Sequence, residues 1–321
     1  MGKFTDFISD VAVTSGCAVG VGLISGKETQ TFAGSTLNTM AFAVVYCAIS
    51  VIIREFCRKN ACKTPADMSA ACLKKPTAFN YALSVCSFVC IVTMLAGVEQ
   101  CLGEIFYISK LPIYAVTVAA VAAAVMAKGM RALKIANVAS IALTAVLFVF
   151  IALQDSSGNH ITTVPAPYMP VAYALFTVTM SLCVLCPLGS AGSRRQNIYG
   201  SAAAALIIAV LLAVTTALGD FSAPLPTLGG ITSYALLAFA VFVIALSAMC
   251  GMAACARPIV DELYAVIPDK ALCAICVFGL AAAFSVFGFD FAVKFGYIAV
   301  ACVGLIAAVM CAIKLVLKKA R

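Results

Sequence analysis

Gly20, Gly22, Ser25, Gly26, Lys27 and Glu28 crowd into residues 20–28, inside the run GCAVGVGLISGKETQTFAG (16–34). Glycine costs about 1 kcal/mol in a helix interior relative to alanine, so this stretch unwinds cheaply. In lipid, unwound backbone is tolerated only where protein buries it or where it lines a cavity. The freed N–H and C=O groups of Gly20, Val21 and Gly22 then become ligands. A half-helix starting near Ser25 turns its positive end to the gap and suits a carboxylate or another anionic group. Carbonyls ending the preceding half, near Val19 and Gly20, suit an amine or a cation. Close packing through small residues, as Gly16 and Gly20 would allow, is the competing use of the same pattern.

A site of this kind needs membrane helices around it, and the composition supplies them. The chain has 321 residues, 64% of them hydrophobic and 11% charged, with a mean hydropathy of +1.10. Soluble domains carry about 25% charged residues. Apolar runs long enough to cross a bilayer recur along the whole length, and the alternating segments of a β-barrel are absent. The start, MGKFTDF, is too short and too acidic for a signal peptide, so the first apolar run is expected to be retained. The 16 cysteines lie mostly within apolar runs and act there as small hydrophobes.

Ten spans are expected, near 10–33, 36–55, 78–103, 111–127, 131–153, 168–190, 197–219, 231–256, 270–288 and 291–315. With the amino terminus in the cytoplasm, every one of the 21 Lys and Arg except Lys27, Lys110 and Lys294 falls at the inner side. That asymmetry satisfies the positive-inside rule and places both termini in the cytoplasm. It also explains the net charge of +8 without a nucleic-acid partner. The loop holding ADMSAACLKK is expected either as a short amphipathic helix on the inner surface or as a solvated basic loop.

The spans divide into two sets of five, 10–153 and 168–315, within a single membrane domain covering 1–321. Five is odd, so the second set sits upside down relative to the first, as in the inverted repeats of secondary transporters. The first helix is expected to break at Gly20-Val21-Gly22. The sixth is expected to break within TVTMSLCVLCPLGS (177–190), which holds Pro187 and Gly189. Lys27, Glu28, Glu99, Asp290 and Lys294 fall on the outer side of mid-membrane, where ionisable groups often mark a pathway. A salt bridge from Lys27 to Glu99 or Asp290 is the candidate outer gate.

The segment AVGVGLISGKE (18–28) resembles the broken first helix of the APC superfamily, whose members share the LeuT-type fold. It is most similar to the YkvI-like family of bacterial membrane proteins, with Lys27 in place of a glutamine. MLAGVEQCLGE (94–104), VLCPLG (184–189) and FGFDFAVKFGYIAVACVGL (287–305) resemble the third, sixth and tenth helices of that family. The resemblance implies alternating-access transport of a small solute in a bacterial inner membrane, an amino acid or related amine first. It places Gly20, Val21, Gly22, Ser25, Phe176, Thr177 and Ser181 at the substrate. For sodium coupling it implies Ala18, Val19 and Ser247. A proton on Glu99 or Glu28 is the other coupling option, and no further cofactor is expected.

Three other readings compete. Met180, Cys183 and Cys186 approximate one helix face and suit a soft metal as cargo. Membrane-embedded catalysis has little to build on, because HExxH and Ser/His pairs are absent from the spans. A ligand sensor on a transporter fold predicts solute binding without flux. No obligatory protein partner is implied; the expected partners are the solute and the lipid. If Lys27 forms the gate, Lys27→Met should lower solute uptake into vesicles, and unchanged uptake removes the gate.

Overall fold

Small polar residues at the membrane boundaries start several of the helices. Ser35 accepts a hydrogen bond from the Asn38 amide at 3.2 Å. Thr64 with Asp67, and Ser193 with Gln196, form reciprocal capping boxes. Asp269 accepts from the amides of Ala271 and Leu272. Each satisfies donors that a helix start leaves unpaired.

The computed structural model describes residues 2–106, 112–127, 129–153, 165–219, 223, 225–229, 231–289, 293 and 296–319. The helices are α1 (Gly2–Ala18), α2 (Val21–Ile24), α3 (Thr36–Asn60), α4 (Pro65–Cys72), α5 (Thr77–Phe106) and α6 (Pro112–Ala127). They continue as α7 (Met130–Ala152), α8 (Met169–Ala191), α9 (Arg194–Leu218), α10 (Tyr234–Tyr264), α11 (Lys270–Phe284) and α12 (Tyr297–Lys319). A π-helical turn at Thr29–Ala33 leads from α2 towards α3. Among the described residues, eight helices are long and apolar enough to cross a membrane: α3, α5, α7, α8, α9, α10, α12, and α11 together with the 3-10 turn Ser285–Phe287 that extends it. The protein is an all-helical, multi-pass membrane protein.

The first segment is broken where the glycines predict: α1 stops at Ala18, and α2 begins at Val21. Lipid-facing surfaces carry exposed Leu, Ile, Val and Phe. The surface helix expected between the second and third spans is present as α4.

Two sequence expectations are corrected. The sixth span is not interrupted: α8 is one helix from Met169 to Ala191, and every residue from Tyr173 to Cys186 is buried. Its breakers stand near its end, Pro187 within it and Gly189 in its last turn. Thr177, Thr179 and Ser181 turn their hydroxyls onto carbonyls of the preceding turn at 2.7–2.8 Å, so these polar side chains are satisfied without unwinding. Gly189 serves packing instead, since a Cβ there would stand 2.6 Å from the Arg54 Cα. Gly304 of α12 likewise abuts the Leu175 carbonyl. The second correction is Arg54. It belongs to α3 rather than to an inner loop, and it is 2% exposed.

Adding a side chain at Gly189 meets main chain that cannot yield. Gly189→Ala should therefore destabilise the protein by about 1–3 kcal/mol in thermal unfolding of the purified chain. Gly279→Ala, inside α11 with nothing within 4 Å, should instead be neutral or stabilising by up to about 1 kcal/mol.

Candidate functional site

The break leaves Val19 and Gly20 outside regular helix, with Gly20 extended at φ −106°. The Val19 carbonyl accepts a hydrogen bond from the Ser247 hydroxyl of α10. The structure thus brings two of the expected ion-coupling residues together, and Ala18 lies beside them at the cavity wall.

Past α2, the chain turns at Ser25-Gly26, where Gly26 adopts φ 83°. This turn sends Glu28 back towards the break. A Cβ on Gly22 would stand 2.5 Å from the Glu28 Cγ, so the missing side chain makes room for the carboxylate arm. Glu28 is 3% exposed. Its Oε2 accepts from the Tyr173 hydroxyl of α8, and its Oε1 from the Tyr297 hydroxyl of α12, both at 2.5 Å. Phe32 stacks on both tyrosines, with ring centroids 5.3 and 5.5 Å away. Phe176 lies 3.6 Å from the Tyr297 ring.

Between these groups is a cavity of ≈ 10 Å³, lined by Ala18, Gly20, Val21, Gly22, Glu28, Thr93, Met94, Met180, Phe289 and Tyr297. That is about the space of one water molecule. A larger cavity of ≈ 270 Å³ opens at the end of the bundle rich in basic residues, where Lys63, Asn80, Cys183, Pro187, Arg257 and Asp261 are among its lining. Met180 faces the small cavity and Cys183 the large one, one turn apart on α8.

The opposite end is covered. The Thr227 amide donates to the Ser25 carbonyl at 3.0 Å. A Cβ on Gly26 would stand 2.6 Å from the Thr227 hydroxyl. Thr29 and Thr215 hydroxyls share a 2.6 Å hydrogen bond just beyond. Residues 225–228 are buried over the turn.

Of the other predicted site residues, Ser25 bonds back to the Gly22 carbonyl at 3.3 Å, and Phe176 joins the aromatic cluster. Thr177 and Ser181 spend their hydroxyl protons on their own helix. Glu28, grouped in the sequence with the outer gate residues, lines the small cavity instead. Glu99 is half-buried and faces the Ser285 hydroxyl at 3.5 Å. The Lys27 carbonyl accepts from Thr31 at 2.9 Å. Asp290 and Lys294 lie outside the described residues. Met180 and Cys183 face different cavities, and no group of three or more His, Cys, Asp or Glu among the described residues could hold a metal ion.

Sequence reasoning missed Tyr173, Tyr297 and Phe32. Their signal is chemical: a carboxylate at membrane depth requires donors, and a tyrosine in a buried helix requires an acceptor. Which tyrosines meet it depends on contacts 145 and 269 residues apart.

Two solved structures share the architecture. Mhp1, a nucleobase-cation-symport-1 family transporter, in a closed conformation with bromovinylhydantoin bound, superposes with a TM-score of 0.61 at 16% identity, covering 95% of this chain and 77% of that one. Its inward-facing conformation gives 0.57 at 16% identity, covering 95% and 75%. The fold is that of the LeuT-type transporters. No protein-family profile matches the chain, nor does any curated protein.

The carboxylate cluster makes a checkable claim about energetics. Tyr297→Phe leaves a buried carboxylate oxygen without its donor and should cost about 1–3 kcal/mol in thermal unfolding. In a Glu28→Leu background the same change should cost far less, a coupling measured by the double-mutant cycle.

Proposed function

We propose that this protein is a secondary active transporter of a small organic solute, working by alternating access in the inner membrane of a bacterium. One observation carries the reading: a carboxylate is held by two tyrosine hydroxyls beside an unwound, glycine-lined segment at the centre of the fold. Such a carboxylate suits an amine of the solute, or the proton that exchanges for it. The rings of Phe289 and Tyr297 offer apolar walls to the solute's body, with Phe176 stacked on Tyr297. Among the described residues, no basic side chain lines the small cavity. This favours an amine over a free amino acid, whose carboxylate would have to rest on backbone N–H groups near Gly20–Gly22.

Fold likeness to Mhp1 and sequence resemblance to the YkvI-like family support the same reading. The basic residues assign the larger cavity to the cytoplasmic side. The 225–229 turn then covers the segment from above, and from below the larger cavity comes within one turn of α8 of the small one, at Cys183 and Met180. Glu28 is the proposed proton carrier. Val19 and Ser247, which the family resemblance implies for sodium coupling, bond to one another here.

In sealed proteoliposomes, Glu28→Gln should lower uptake of a cognate amine by roughly 10–100-fold, the worth of a charge-assisted hydrogen bond, while the purified variant still unfolds cooperatively. Uptake equal to the unaltered protein would overturn the assignment of Glu28. A solute that binds yet shows no counterflow would point to a sensor instead.

A further inference from the structure

Four charged side chains ring the ≈ 270 Å³ cavity at the basic end of the bundle, two of each sign: Lys63 and Arg257, Asp261 and Glu262. Lys63 and Asp261 reach the surface, and Arg257 and Glu262 are half-buried. Arg257 and Asp261 stand four residues apart on α10, a spacing at which opposite charges on a helix can pair. Among the described residues they form no salt bridge, and neither do Lys63 and Glu262. Both Arg257 and Asp261 lie within electrostatic reach of the Cys183 thiol, which lines the same cavity from α8.

The neighbouring polar groups are spent in part on one another, and what they leave over faces the cavity. Asp67 takes the Lys63 and Thr64 amides at 3.0 Å, so it caps α4 and leaves the Lys63 ammonium. Glu262 accepts from the Ser84 hydroxyl through Oε2 at 2.9 Å, which leaves Oε1. Asn80 accepts from the Ser69 hydroxyl through Oδ1 at 2.7 Å, which leaves its N–H donors. Inside the ring the wall turns apolar. Leu83 of α5 and Cys183 are buried, and Pro187 of α8 lies beside them. An apolar floor with a few convergent polar groups is the plan of small-molecule sites, and the volume is near the lower end of their roughly 300–1,000 Å³.

The sign of the charges narrows the ligand. The lining is neutral in sum, so a ligand with one charge of each sign complements it. A dicarboxylate would meet Asp261 and Glu262, and a diamine would meet Lys63 and Arg257. An uncharged body would strip water from the ring and return nothing for it.

We propose that this cavity binds a small zwitterion with a short aliphatic body, at a second site apart from Glu28. The carboxylate takes the Arg257 guanidinium, whose planar fork suits it, and Lys63 adds to the attraction. The ammonium takes Asp261 and the Glu262 Oε1. The aliphatic body lies on Leu83, Cys183 and Pro187. Bound there, the zwitterion joins α10 to the link between α3 and α4. The site shares no residue with the small cavity, so it holds whether or not Glu28 handles the transported solute.

The test uses the purified full chain. Its thermal unfolding is followed in leucine, isoamylamine and isocaproate, the zwitterion and each of its halves, at equal ionic strength and neutral pH. The expected result is a saturating rise of Tm by several degrees with leucine. Either half should need about tenfold higher concentration or more, the loss of one charged contact. Arg257→Gln and Asp261→Asn should each move the leucine response upward by a similar factor. An amine can also act at Glu28, so the series is repeated in Glu28→Gln, where the leucine response should persist. In the unaltered protein, saturating leucine should slow the labelling of Cys183 by a small maleimide, read by peptide mass spectrometry. The absence of a Tm response to leucine overturns the proposal. So does a response that Glu28→Gln abolishes, which would put the zwitterion in the small cavity. Equal responses to leucine and isoamylamine in Glu28→Gln, a response left intact in both Arg257→Gln and Asp261→Asn, or undiminished labelling of Cys183 overturn it as well.

Discussion

A carboxylate deep in a membrane protein has to find donors, and much of the central architecture follows from where Glu28 finds them. Its two oxygens reach hydroxyls on α8 and α12, so one short side chain ties the broken first segment to two distant helices. The tie is possible because Gly22 presents no side chain where the carboxylate arm passes. Phe32, on the π-helical turn, closes over both tyrosines and keeps water from competing for them. The proposed chemistry needs this arrangement in reverse as well. A solute amine or a proton that takes up the carboxylate loosens its hold on the tyrosines, and with it the position of the segment.

The two ends of the molecule treat that centre unequally. At one end the 225–229 turn is stitched to the Ser25 carbonyl and pressed against Gly26. At the other, a cavity reaches Cys183, a single turn of α8 from the cavity wall at Met180. The bond between Ser247 and Val19 lies on the same segment and joins α10 to the break. These contacts come from α8, α10, α12 and a loop, and they converge on the short stretch from Val19 to Glu28.

The glycine cluster announced the break because the cost of glycine in a helix is local, and so is the signal. The short helix α4 could be expected for the same reason, since Thr64, Pro65 and Asp67 are neighbours in sequence. Pro187 and Gly189 misled because a breaker has a different meaning near a helix end, and because Gly189 answers to Arg54, far away in the chain. Arg54 itself reads as one more basic residue at a boundary; only the packing of α1, α8 and α9 buries it. The tyrosine pair was beyond reach for a like reason. The sequence contains 10 tyrosines, and their local surroundings do not say which two face a glutamate.

The continuity of α8 has a mechanical consequence. A rod gripped along its length by glycine contacts from α3 and α12 can tilt, but it cannot flex in the middle. Of the two segments expected to break, only the first is jointed, at Val19-Gly20, so in that pair a rearrangement around Glu28 pivots on the first segment against a continuous partner. Two broken segments would share such a movement between them; here it falls unevenly on one.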